Sequence, residues 1–426
     1  MERLITKYIK KWWGVPKSLT NLALYSSSTK LKLPTVSLVE KYKLGKARLF
    51  QMLRDSRDPL VQKTQPPVVT GRKWSAKDAV EDAESALKLK EVVGAVAKGK
   101  SGLGLHPQRW WSKESTTERR KIVSEEIHQL EENKRFARAV ELVKQGAWTK
   151  WENAKDRVMT WSKIKRMEPQ KLSFLIKAVY DILPTPVNLQ TWGLTKSNRC
   201  EDCGKTANLK HILTGCECAL RSYTWRHNEV LKIFARASKI CCETANKTTD
   251  IRKTTLINFV KENSSVSSRK ESRKTRRVSS MLNNGSDWRM ESDLESHLVF
   301  PTEIALTAQR PDLIIWSVSQ KRVFLIELTV PFEENFDWAH QRKLEKYEDL
   351  KEQCLINGWA ATVFPVEVGC RGVIANSTFA FLSNLGFLLS VKRKFIEEIQ
   401  DKALSTSAWI WQTHAAKSNQ QSLVVS

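Results

Sequence analysis

Arg310-Pro311-Asp312-Leu313-Ile314-Ile315-Trp316-Ser317-Val318-Ser319-Gln320-Lys321-Arg322-Val323-Phe324-Leu325-Ile326-Glu327 decides the fold of the second half of this chain. Two runs rich in Ile, Val and Phe flank a short polar break, Ser319 to Arg322, and read as a β-hairpin. Asp312 opens the first strand and Glu327 lies inside the second. A helix is expected next, from about Asn335 to Cys354. Phe336, Ala339, Lys343, Tyr347, Leu350 and Cys354 recur there at three- and four-residue spacing and share one face. Lys343 therefore projects from the middle of a core-facing stripe, with Lys346 a little way round the same wheel. A core-facing ammonium is expensive to desolvate unless carboxylates pair with it. Asp312 and Glu327 are the nearest candidates.

This constellation resembles the catalytic core of PD-(D/E)xK nucleases. It is most similar to the restriction-like endonuclease domain at the C-terminus of site-specific non-LTR retrotransposon polyproteins. In that version the catalytic lysine stands on the helix after the second strand. Here Glu327-Leu328-Thr329 has threonine where a standard nuclease has lysine, so Lys343 or Lys346 must substitute. The resemblance implies that Asp312 and Glu327 bind a hard divalent ion through oxygen, usually Mg²⁺. Such an ion polarises the scissile phosphate and lowers the pKa of a bound water, and the lysine assists that water or the phosphate. Glu303 is a candidate third acid, while Glu333 and Glu334 read first as acids at a helix N-terminus.

Composition agrees with a polyanionic partner. The 426 residues carry a formal net charge of +25 and a pI near 9.7. That length allows about three domains of ~150 residues, and 41% hydrophobic residues supply real cores. No stretch approaches ~18 uninterrupted apolar residues, so no membrane partner is expected. The start of the chain lacks the apolar core of a secretory signal. Eight cysteines in such a chain suggest reduced thiols or metal ligands rather than a disulfide framework. The expected compartment is the nucleus, or the cytoplasm before import.

Cys200-Glu201-Asp202-Cys203, His211 and Cys216 form C-x2-C-x7-H-x4-C. A tight thiolate pair with a second Cys/His pair suits tetrahedral Zn²⁺, and four protein ligands make a closed, structural site. Gly204 permits the tight turn after the pair, a short helix from Leu209 to Leu213 presents the second pair, and Cys218 is an alternative to Cys216. Cys241, Cys242, Cys354 and Cys370 read as inert core thiols. The stretch from Arg199 to Leu231 is similar to the cysteine-histidine motif that precedes the nuclease in those polyproteins, including Arg226-His227-Asn228. Arg226 and His227 are therefore candidate nucleic-acid contacts, as is the serine-rich basic stretch containing Arg273, Lys274, Arg276 and Arg277, which reads as a disordered linker.

Residues 1–60 begin with a short basic helix broken at Gly14 and Pro16, and a second basic helix runs from Leu38 to Arg54. They resemble the thumb at the end of the reverse transcriptase in the same elements, yet no Asp-Asp polymerase motif occurs, so polymerase activity is not expected. Ser75 should cap an alanine-rich helix reaching about Ala97. A charged helix follows from about Lys113 to Gln145, with Val123, Ile127, Leu130, Ala137 and Val140 as its apolar stripe. Trp148, Trp151 and Trp161 read as core anchors. Lys171 to Leu194 reads as a buried helix stopped by Pro184 and Pro186, then an extended segment. After the catalytic helix a strand is expected from Thr362 to Val368, with helices from Ser377 to Leu385 and from Val391 to about Ala403.

The expectation is thus an α/β protein: a mostly helical N-terminal half with a zinc knuckle, then a PD-(D/E)xK-like mixed α/β nuclease domain. Its segments are a thumb remnant (1–60), a linker with a helix (61–112), a helical linker domain (113–195), the knuckle and following helix (196–260), a basic linker (261–290), the nuclease (291–415) and a tail (416–426). The function implied by the resemblance is Mg²⁺-dependent DNA nicking, with target DNA, element RNA and other copies of the element protein as partners. The alternative is a catalytically dead nucleic-acid-binding remnant that uses the knuckle and the basic linker.

Overall fold

The computed structural model describes residues 1–64, 74–98, 111–251, 280–283, 285–294 and 297–424. The chain is mixed helix and sheet and divides into two compact units, residues 1–149 with 158–166, and residues 150–157 with 167–426. No described helix is long and apolar enough to cross a membrane.

The first unit is helical: α1 (Glu2–Trp12), α2 (Leu38–Arg54), α3 (Ala76–Lys98) and α4 (Thr116–Glu141) are its main elements. Three serine caps set their starts. Ser37, Ser75 and Ser115 accept from the amides of Glu40, Asp78 and Glu118, each three residues on. Phe50, Val80, Leu87, Ile122, Val123 and Ile127 bring α2, α3 and α4 into one core, so the boundaries expected at 60 and 112 fall inside this unit. The stripe expected on α4 drifts at its C-terminal end: Val140 is 61% exposed and Ala139 is buried instead. Glu132, also buried, accepts from the Ser26 hydroxyl and the Ser27 and Ser28 amides, so a polar loop covers that half of the helix. Trp148 is buried as an anchor, whereas Trp161 is half exposed.

The second unit is built round a four-stranded sheet of β1 (Arg289–Ser292), β2 (Leu313–Ser317), β3 (Arg322–Thr329) and β4 (Ala360–Glu367), in that order. β1–β2 and β2–β3 are antiparallel and β3–β4 parallel. The expected hairpin is therefore present, with Lys321 in the left-handed region at its turn (φ 49°). Helices cover both faces, which is why all five residues of β2 are buried rather than alternating. On one face lie α6 (Leu220–Ile251), α9 (Asn376–Asn384) and α10 (Leu389–Val424), packing Phe234, Phe381 and Ile399 against Leu313, Ile315 and Ile326. On the other lie α7 (Phe336–Lys346) and α8 (Glu348–Ile356), packing Tyr347, Leu350 and Cys354 against Ile314 and Leu325. Helical order resumes after Pro184: Thr185 caps α5 (Pro186–Thr191), which has proline at its first position, where its missing N–H costs nothing, so the expected extended segment is not formed. α10 runs well past the helix end expected near Ala403.

Candidate active site and metal centre

The register of the hairpin brings the two acids together. Leu313 pairs with Ile326, so the next residues outward, Asp312 and Glu327, stand opposite each other and project to the same face as Ile314 and Leu325. The amide of Asp312 donates to Glu327 Oε2 at 3.2 Å, and the amide of Leu328 donates to Asp312 Oδ2 at 2.7 Å. Glu327 is 2% exposed, a burial that a carboxylate tolerates only with charged or hydrogen-bonding partners.

Those partners come from α7 and the residue that ends it. Lys343 Nζ donates to Glu327 Oε1 at 2.5 Å, Lys346 Nζ to the same oxygen at 3.0 Å, and the Tyr347 hydroxyl to Oε2 at 2.7 Å. Both lysines thus reach the acid, but unequally: the Lys343 side chain is 15% exposed and that of Lys346 is 44%. The single helix expected from Asn335 to Cys354 is two, because Tyr347 leaves the helical region (φ −108°, ψ 11°). That break sets the Tyr347 hydroxyl between Lys346, Glu327 and the Arg310 carbonyl. Burial works against the charged Glu327, yet the Lys343 ammonium and the bonds from Lys343 and Tyr347 hold its carboxyl below the ordinary value. Burial and the Glu327 charge push Tyr347 far upward, so it stays a proton donor.

Asp312 has a partner that sequence reasoning assigned elsewhere. His227, on α6, places Nε2 3.2 Å from Asp312 Oδ2 and 3.2 Å from the Leu328 carbonyl, both acceptors, so Nε2 carries the proton. Burial disfavours the imidazolium, but the Asp312 bond and charge carry the His227 pKa above its ordinary value. His227 is therefore a support for Asp312 before it is a nucleic-acid contact. Arg226, by contrast, is buried: it is 2% exposed, donating to Ser407 Oγ at 3.1 Å and stacked over Tyr223. Although it adjoins His227 on the helix, Arg226 points the other way, toward the core between α6 and α10. Arg273, Lys274, Arg276 and Arg277 lie outside the described residues.

The other acids are occupied away from this pair. Glu303 accepts from the Trp316 indole at 3.0 Å and is half exposed. Glu333 is fully buried in an ion pair with Arg371, whose guanidinium is sandwiched between Trp151 and Phe332. A side chain at Gly369 would sit 2.3 Å from Glu333, so glycine makes room for that pair. Glu334 is exposed.

Cys200, Cys203, His211 and Cys216 converge, with their ligand atoms all within 4.8 Å of one another, and this Cys3His cluster could hold a metal. Cys203 Sγ lies 3.3 Å from His211 Nε2 and 3.9 Å from Cys216 Sγ. Gly204 takes the positive φ (70°) of the turn, and a five-residue π-helical turn from His211 to Gly215 stands where the short helix was expected. Cys218 is exposed and turned to the Asp202 carbonyl, outside the cluster. Burial raises the Cys200 thiol and pushes that of Cys216 up to about 12, whereas the Lys205 amide lowers that of Cys203. The four remaining cysteines are buried, with pKa values raised by burial to about 11 or 12, as inert thiols should be. Glu40, His128 and Glu132 also cluster, but Arg135 bonds both carboxylates and supplies the charge a metal would bring.

Sequence reasoning missed Glu367, which is 1% exposed at the end of β4 and bonded to His340 Nδ1 (3.1 Å) and to the Ser377 hydroxyl. It also missed His414 of α10, 3.5 Å from Cys200 Sγ. Neither has a local signal, since both partners come from distant segments. Tyr347 was legible only as a member of the stripe. No protein-family model and no curated protein matches this chain.

Proposed function

We propose that this chain is a metal-dependent DNA endonuclease that nicks one strand, the cutting module of a non-LTR retrotransposon protein. The observation that carries the reading is one buried carboxylate, Glu327, set across the hairpin from Asp312 and met by two lysines from the next helix. The donor set fits a hard divalent cation: both acids offer oxygen, and among the described residues the hydrogen bonds of the Asp312 side chain fall on Oδ2, leaving Oδ1 for a ligand. Mg²⁺ held by Asp312 and Glu327 would supply a polarised phosphate and a more acidic water. His227 fixes the Asp312 carboxylate, Tyr347 fixes that of Glu327, and Lys343 presents an ammonium that can neutralise charge on the phosphate. The Cys3His cluster takes Zn²⁺ as a structural ion. With a net charge of +25, target DNA is the first partner, and element RNA and further copies of the element protein follow from the resemblance. Action on target DNA places the protein in the nucleus.

The second reading is a non-cutting nucleic-acid-binding remnant. It draws on the saturation of both Glu327 oxygens by Lys343, Lys346, Tyr347 and the Asp312 amide, which any cation must disturb. Incubating supercoiled plasmid with the protein and Mg²⁺ separates the two. Conversion to open circles by the wild type, lost in Asp312→Ala, is the expected result. Salt-sensitive DNA binding with no nicking at any Mg²⁺ or Mn²⁺ concentration overturns the enzyme and leaves the binder.

A further inference from the structure

A cleft of about 530 Å³ opens beside Asp312 and Lys343, between the cysteine-histidine knuckle with the start of α6 on one side and the start of α7 on the other. Its size lies in the range of ~300–1,000 Å³ typical of ligand sites. The knuckle contributes Lys210, α6 contributes Tyr223, and α7 contributes Trp338, Arg342 and Lys343. Lys210 Nζ donates to Asn335 Oδ1 at 3.1 Å, tying the two walls together. Trp338 is 62% exposed, and the Arg342 guanidinium lies over its ring at 5.0 Å. Lone exposed aromatics are ordinary. This one stands on the wall of a cleft that Asp312 also lines, beside cations that match phosphate.

Resting on the nuclease reading of Asp312, we propose that this cleft receives one unpaired nucleotide next to the phosphate to be cut. Its base stacks on Trp338, and Lys210 and Arg342 hold the flanking phosphates. A base inside a duplex keeps both faces stacked and cannot enter a concave site, so the occupant must be unpaired or swung out. An aromatic face accepts any base and cations accept any phosphate, which makes the cleft sensitive to strand state and indifferent to sequence.

The test is equilibrium binding of the full chain, without added Mg²⁺, to a duplex carrying one bulged 2-aminopurine and to the fully paired duplex. The wild type binds the bulged duplex more tightly and quenches the 2-aminopurine by stacking. Trp338→Ala loses about 5- to 150-fold in affinity for the bulged duplex, the span that stacking of one base confers, and leaves the paired duplex unchanged. Trp338→Phe keeps most of the preference. Trp192→Ala, an exposed tryptophan away from the cleft, has no effect. A bulged-to-paired ratio unchanged in Trp338→Ala, or an unquenched 2-aminopurine in the wild type, overturns the proposal. Because binding is read without cleavage, a protein that prefers the bulge but never nicks refutes the nuclease reading alone. One that nicks with a flat binding ratio refutes the cleft alone.

Discussion

Replacing Lys343 and Lys346 singly by alanine tests which amine serves Glu327. Removing one partner of a buried ion pair costs ~3–5 kcal/mol when nothing else compensates. In Lys343→Ala three partners remain, Lys346, Tyr347 and the Asp312 amide, so the expected loss falls to ~1–3 kcal/mol. Lys346 is 44% exposed and screened by solvent, so its removal should cost no more than ~1 kcal/mol. Urea unfolding followed by tryptophan fluorescence reads both. Nicking should separate them further: loss of a preorganised charge beside the reacting phosphate costs ~10²–10³-fold, expected for Lys343→Ala only. Divalent-ion binding should not weaken in Lys343→Ala, because a competing ammonium leaves Oε1. The pH dependence follows from the depressed Glu327 pKa: its stabilisation is full above the ordinary value near 4.5 and is lost as pH falls through the lower folded value. That acid-side loss should shrink in Lys343→Ala. If Lys346→Ala costs as much as Lys343→Ala in both stability and nicking, the reasoning from burial and distance fails.

Further outcomes are expected at three places. One zinc per chain should be found by elemental analysis, and Cys203→Ser should abolish it and lower the melting temperature by several degrees, whereas Cys218→Ser should do neither. Because thiolates are the ligands and burial raises the Cys200 and Cys216 thiols, zinc affinity should climb steeply with pH. His227→Gln should slow nicking about 10- to 100-fold, in line with the loss of a group that orients a metal ligand. The His227 pKa is raised, so its contribution to stability is full below about 6.5 and lost as pH climbs through the higher folded value; that slope should vanish in the variant. Glu367→Gln should raise the urea midpoint at neutral pH, since burial raises this carboxyl and its ionised form is the costly one. The gain should disappear below the ordinary glutamate value, and a constant gain at every pH would contradict it.

Much of the site was legible because its signals are local. The hairpin showed as two β-branched runs round a polar break, and Lys343 as a charge inside an apolar stripe, both readable within one or two turns of chain. The serine caps and the C-x2-C pair are equally short-range. Errors collected where packing sets the phase: the α4 stripe drifted at Val140 because a polar loop covers that end, and Arg226 turned inward because α6 and α10 close over it.

By itself, the sequence determined which residues could be chemical: two acids, two lysines, three thiols and a histidine, at spacings that limit what they can do. Only the tertiary structure decided their partners. It ranked Lys343 ahead of Lys346 by burial, excluded Cys218 by direction, and gave Asp312 a histidine from 85 residues earlier in the chain. The physical reason is that a side chain's cost of burial depends on every group packed around it, and most of those groups arrive from elsewhere in the fold.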